Sequence, residues 1–174
     1  HKESIGFLEY ANDLGKEIKR VRKQHRITIE KLAEISNLHQ NTISSLERGR
    51  ADISLISNAR IMAVLGCESF EIGETAFKYN SIEIEEYPDS KKILNLSGST
   101  IVYMTGQMIK NERKRQEITL EELSELTGIH RNTIWNIEKG LVNPSLYNLF
   151  KIHRNLKIKR MKGSTTGLYI LEKK

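Results

Sequence analysis

The chain has 174 residues, 38% of them hydrophobic, with one Cys, two Pro and a formal net charge of +6; this is enough for one ordinary domain or two small ones and excludes a disulfide framework within the chain. The mean hydropathy is -0.48, and no run approaches the about 18 apolar residues of a membrane helix. The start lacks a secretory pattern, although His1 suggests trimming, so a cytoplasmic protein is expected.

Charge is uneven along the chain: about +5 over residues 14–67, about −4 over 68–104, about +3 over 105–158 and about +4 beyond. The first amphipathic helix falls in "LGKEIKRVRKQ", where Leu14, Ile18 and Val21 form an apolar stripe. After the turn "RIT", Thr28 is placed to N-cap a second helix, "IEKLAEIS", with Leu32 and Ile35 pointing inward. Asn37 tolerates the left-handed turn that would end it. A third helix runs from about residue 39 to 48 and stops at Gly49. Spacing puts Ile43 and Leu46 on its core side and Gln40, Asn41, Ser44, Ser45 and Arg48 outside. A fourth helix starts near Asp52 and continues through "SLISNARIMAVL". Cys67, alone at its end, is expected to be a buried structural thiol.

An acidic connector follows. Its "SIEIEEY" is strand-like, whereas "ILNLSGSTIVYM" is apolar but interrupted by Gly and Ser and fits either strand or helix. The helical sequence then restarts in "TGQMIKNERKR", with Met108 and Ile109 apolar. After the turn "EIT", Thr119 caps "LEELSELT", with Glu122 completing a capping box and Leu123 and Leu126 inward. Gly128 supplies the turn, and a helix over about 130–139 ends at Gly140. Ile134 and Ile137 lie on its core side, and Arg131, Asn132, Trp135, Asn136 and Lys139 outside. The last helix starts near Asn143 with Pro144 at its first position and runs through "SLYNLFKIHRNL". The basic tail ends in a second strand-like segment, "TGLYILEKK".

Setting Gly15 over Gly106 aligns residues 14–67 with 105–158 without a gap, and roughly twenty positions are identical. "LHQNTISSLERG" thus repeats as "IHRNTIWNIEKG", and the second copy is followed by "NPSL". This order of capped helix, turn, Asn-Thr-Ile core and Glu-basic-Gly ending resembles the Xre and Cro/phage-repressor class of DNA-binding domains. The resemblance covers about two-thirds of the chain and implies compact five-helix domains whose third helix lies in the DNA major groove. The expected fold is mainly α, with two tandem lambda-repressor-like helix-turn-helix domains and small β-strand additions in connector and tail. Expected boundaries are 1–77 and 100–160 for the domains, 78–99 for the connector and 161–174 for the tail.

By the resemblance, Gln40, Asn41, Arg131 and Asn132 are placed to read bases, with Ser45 and Asn136 one turn further on. The amides suit adenine and the guanidinium suits guanine. Lys23, Arg26, Arg48, Arg50, Lys114, Arg115 and Lys139 would anchor phosphates. His39 and His130 stand where the family usually caps with Ser or Thr, so capping and a phosphate or base contact are both open. Ile29 and Leu120 replace the family's Gln after the capping Thr, and Asp52 is ill-suited to a site close to phosphate. The family often joins positions such as Arg22 with Glu47, and Arg113 with Glu138, by structural ion pairs. Trp135, where the first unit has Ser44, would either contact DNA or pack on a neighbouring domain. The strand-like segments would either pair across an internal pseudo-two-fold, as in antitoxin-type members, or form separate hairpins.

No catalytic triad, metal-ligand or phosphate-loop pattern is present, so neither an enzyme nor a cofactor or metal is expected. The function expected is a sequence-specific double-stranded DNA-binding transcriptional regulator, acting as a repressor. The alternative is an antitoxin-type or adaptor protein that also grips a protein partner through connector or tail. Both a homodimer and an intramolecular pseudo-dimer are open.

Overall fold

The computed structural model describes residues 2–50, 52–65, 69–72, 75–78, 90–157 and 161–163. The described residues form α1 (Lys2–Gln24), α2 (Ile29–Ser36), α3 (Gln40–Glu47), α4 (Leu55–Val64), β1 (Ser69–Ile72), β2 (Thr75–Lys78), α5 (Ser90–Arg115), α6 (Leu120–Thr127), α7 (Arg131–Glu138), α8 (Leu146–Asn155) and β3 (Met161–Gly163). The protein is mainly helical, and two four-helix units repeat in order. Each unit thus shows four helices among the described residues, one fewer than the resemblance implied. "ILNLSGSTIVYM" is helical throughout, as part of α5. The segments 81–87 and 166–174, together with Cys67, lie outside the described residues.

Local chemistry sets the helix ends. Thr28 and Thr119 accept the amides of Lys31 and Glu122 at 3.0 Å. The Glu122 carboxylate takes the Thr119 hydroxyl at 3.2 Å, so the capping box closes side chain to side chain. Asn37 and Gly128 are left-handed after α2 and α6, where an αL residue lets the last carbonyls find donors. Arg26 and Glu117 are also left-handed, both at φ 57. At that equivalent turn, neither unit uses Gly.

Two expectations change. Ser145, not Asn143, caps α8, so Pro144 lies one residue before the cap rather than at the first helical position. Leu126, near the C-terminal end of α6, is 50% exposed, whereas its counterpart Ile35 is half-buried against the core.

The core is one contiguous apolar cluster drawn from both units. It includes Ile18, Leu32, Ile43 and Leu46 from the first and Ile109, Leu123, Ile134 and Ile137 from the second. α1 packs across α3 and α5 across α7, and each crossing is made at a glycine. A Cβ on Gly106 would stand 2.8 Å from the Glu138 carbonyl oxygen and closer still to that of Ile137; Gly15 repeats this against Glu47 and Leu46. Gly106→Ala is therefore expected to destabilise the protein by about 1 to 3 kcal/mol, reversing the gain of about 1 kcal/mol that Ala brings to a helix. Urea unfolding measures this, and a raised midpoint would show that α5 and α7 do not cross this closely.

The units also meet. Leu55 N donates to Pro144 O and Leu146 N to Ile53 O, each at 2.8 Å, as an antiparallel bridge between Ser54 and Ser145. These residues are equivalent in the repeat, so the contact has a local two-fold. Asp52 Oδ1 accepts from Tyr147 N, and Asn143 Oδ1 from Ile56 N, each at 3.1 Å, so each unit's Asx side chain binds an amide at the start of the other's fourth helix. β1 pairs antiparallel with β2 and with β3, and in the latter ladder Phe70, Glu71 and Ile72 face Gly163, Lys162 and Met161.

Candidate nucleic-acid interface

Each third helix is held by the same three-point fork. Arg22 donates through Nε and Nη2 to Glu47 at 2.6 and 2.9 Å and through Nη1 to Ile27 O at 2.9 Å. Arg113 does so to Glu138 at 2.7 and 3.0 Å and to Ile118 O at 2.8 Å. Both pairs are buried, and hydrogen bonding to the carboxylate raises the pKa of each arginine above its ordinary value. The fork ties together the end of the first helix, the turn after it and the end of the third helix. Its two hydrogen bonds to one carboxylate fix orientation as well as contact.

His39 and His130 precede α3 and α7, and each accepts at Nδ1, from Asn41 N and Asn132 N, at 3.1 Å. Accepting at Nδ1 places the proton of the neutral ring on Nε2. Both side chains are exposed, so each histidine caps its helix and keeps one outward donor.

Beyond the caps, Gln40, Asn41, Arg131 and Asn132 are exposed at the helix starts, while Ser45 and Asn136, one turn on, are half-buried. Ile43, Leu46, Ile134 and Ile137 are buried, so the expected division of faces is present in both units. Arg131 Nη1 donates to Glu121 Oε1 at 2.5 Å between two exposed side chains. Glu121 was not singled out from the sequence. Its counterpart Glu30 stands across from Gln40, where no charge pair can form.

Lys23, Arg26, Arg48, Arg50, Lys114, Arg115 and Lys139 are all exposed. Arg115 is paired with Glu112, and the Arg48 Nε bonds back to Ser44 O at 3.3 Å. Around α5 and α7 the cations crowd: Lys139, then Lys114, depress the Lys110 pKa below the ordinary lysine value. Lys110, with its counterpart Lys19, is a further cationic position. The signal for it was in the repeat, because Lys recurs there three residues before the fork arginine of each unit. Asp52 has a different task from phosphate binding; burial raises its carboxyl pKa while the Tyr147 amide opposes the shift.

The units also differ at several exposed apolar positions. Trp135 is 44% exposed with the Lys139 ammonium 5.6 Å from its ring centroid, and Tyr103, Leu141 and Val142 are also exposed. The first unit has Ser44, Asn12, Arg50 and Ala51 at these places. Among the described residues no group of three or more His, Cys, Asp or Glu is arranged to hold a metal, and no described helix is long and apolar enough to cross a membrane.

The helix-turn-helix family model matches the chain twice, over residues 18–72 and 109–160. A protein of Methanococcus maripaludis (strain C5), provisionally named an HTH-type transcriptional regulatory protein, is 25% identical over 91 residues, which cover 52% of this chain and 28% of that protein. The chain thus spans under a third of that relative's length. No solved structure matches.

Proposed function

The chain belongs to the helix-turn-helix family, of the Xre and lambda-repressor-like type, in both of its halves, and from that premise we propose that it is a sequence-specific double-stranded DNA-binding regulator of transcription. The observation that carries this reading is the repeated third helix. α3 and α7 each present amide or guanidinium groups outward at their first turn, each fixed by the same buried Arg–Glu fork and histidine cap. A solvated helix face has no need of such duplicate support.

In this reading Gln40, Asn41 and Ser45, with Arg131, Asn132 and Asn136, read base edges in the major groove. Lys23, Arg26, Arg48, Arg50, Lys114, Arg115 and Lys139, joined by Lys19 and Lys110, line the phosphates. His39 and His130 donate to phosphate from Nε2. Binding across a promoter would make the protein a repressor. Of the homodimer and the intramolecular pseudo-dimer, the cross-unit bridge at Ser54 and Ser145 favours the second.

Arg131→Ala tests the assignment of readers. It is expected to relax preference at one G·C pair in the second half-site by about 1 to 3 kcal/mol while leaving the first half-site unchanged. Base preferences come from selection out of random duplex DNA, and an unaltered preference would remove Arg131 from the reading set.

A second reading, an antitoxin-type or adaptor protein, is favoured by the exposed apolar side chains Tyr103, Trp135, Leu141 and Val142 of the second unit. It requires Trp135→Ser to leave DNA affinity intact.

A further inference from the structure

The bridge between the units constrains where the recognition helices can stand. From Glu47 at the end of α3 to Ser54 at the bridge is a stretch of seven residues, as from Glu138 to Ser145. Seven extended residues reach at most about 25 Å. Two such stretches and the bridge itself therefore leave the ends of α3 and α7 no more than about 55 Å apart. Neighbouring major grooves on one side of a duplex lie about 34 Å apart, which fits. Grooves two turns apart, about 70 Å, could be met only with both stretches fully extended and both recognition helices, about 10 Å long from end to start, pointing straight apart.

The bridge is also braced. Its two backbone hydrogen bonds and the two Asx–amide bonds form a symmetric set of four between equivalent residues. On one flank α1 reaches α8, where Phe7 and Tyr10 meet Tyr147 and Phe150 with centroids 4.7 to 5.7 Å apart. On the other, α5 packs on α4. Leu55 and Leu146 beside the bridge are buried, so the contact is continuous with the core.

Resting on the DNA-binding reading, we propose that one copy of this chain is a fixed-gauge reader, recognising a single asymmetric DNA site of two unlike half-sites centred one helical turn apart, with the gauge set by the Ser54–Ser145 bridge rather than by the connector. The local two-fold relates α3 to α7 as operator symmetry relates half-sites. The half-sites differ because Gln40 stands opposite Arg131, and Ser45 opposite Asn136. Two domains on a loose tether would behave differently: the second contact would persist over many spacings, declining gradually as effective concentration falls.

The test uses the full chain and the best duplex selected from a random-sequence pool. Five or ten base pairs are inserted between the half-sites, and a duplex with one half-site scrambled is made alongside. Affinity is read by fluorescence anisotropy and stoichiometry by native mass spectrometry. The expected result is one chain per duplex and a loss of about 100-fold on both insertions, down to the level of the scrambled duplex. Recovery to within about threefold on the ten-base-pair insertion would overturn the fixed gauge and leave the DNA-binding reading standing, as would two chains per duplex. If no duplex is bound at all, both fall together.

Discussion

Replacing Arg113 by Met is expected to lower the free energy of unfolding by about 3 to 5 kcal/mol, because it leaves the carboxylate of Glu138 buried without its charged partner. Glu138 is 2% exposed and receives two of the three fork hydrogen bonds. The third partner, Ile118 O, loses its donor as well. For a chain of this size the melting temperature should fall by roughly 10 °C. Arg22→Met should behave alike, since Glu47 is 9% exposed and bonded in the same way. Thermal unfolding followed by circular dichroism measures the loss, and DNA affinity should be lost only as the fold is lost. A fully stable Arg113→Met protein with lost DNA affinity would make the arginine a contact residue and contradict its structural role.

His153 carries the second large effect, through pH. Its ring is fully buried in α8, Nδ1 donates to Leu149 O at 2.6 Å, and Nε2 has no partner among the described residues. Burial lowers its pKa from 6.5 to about 4, with the bond to Leu149 opposing the shift. The folded protein therefore holds a neutral imidazole at a pH where the unfolded chain is already protonated. Stability from this group is complete above about pH 6.5, falls as the pH drops towards about 4, and levels off below. The full difference is about 3 kcal/mol. In the first unit Met62 fills the equivalent place and is 4% exposed, so His153→Met is sterically acceptable by the repeat's own example. Urea unfolding at a series of pH values should show a smaller loss between pH 6.5 and 4 in this variant. An unchanged pH dependence would assign the acid lability to other groups.

What could be read from the sequence was local. Thr28, Thr119, Asn37 and Gly128 act within a few residues of themselves, so residue type and spacing sufficed to place them. The two faces of α3 and α7 followed from helical period, with Ile43 and Ile134 buried and Asn41 and Asn132 exposed. The fork between Arg22 and Glu47 is long-range and was legible only through family resemblance. Nothing local announces that Ile53 and Pro144 will exchange hydrogen bonds with Leu146 and Leu55, because each is satisfied by a partner far along the chain. Asp52 and Asn143 looked like ordinary helix-start residues, and in fact each serves the other unit's helix. The stretch 93–104 was ambiguous because its Gly and Ser weaken both patterns; packing of α5 on α4 accompanies its helical form. Nothing in the sequence analysis singled out His153, and only the packing reveals it as core.

The proposed engagement of duplex DNA by both helix-turn-helix units rests on the cations around α3 and α7. It is tested most directly by the affinity of the full chain for its best selected duplex across a series of salt concentrations. Neutralising about six phosphates predicts a log-log slope near −5. A slope shallower than about −2 would contradict the claim, because too few phosphates would be engaged for DNA to be the main ligand of both units.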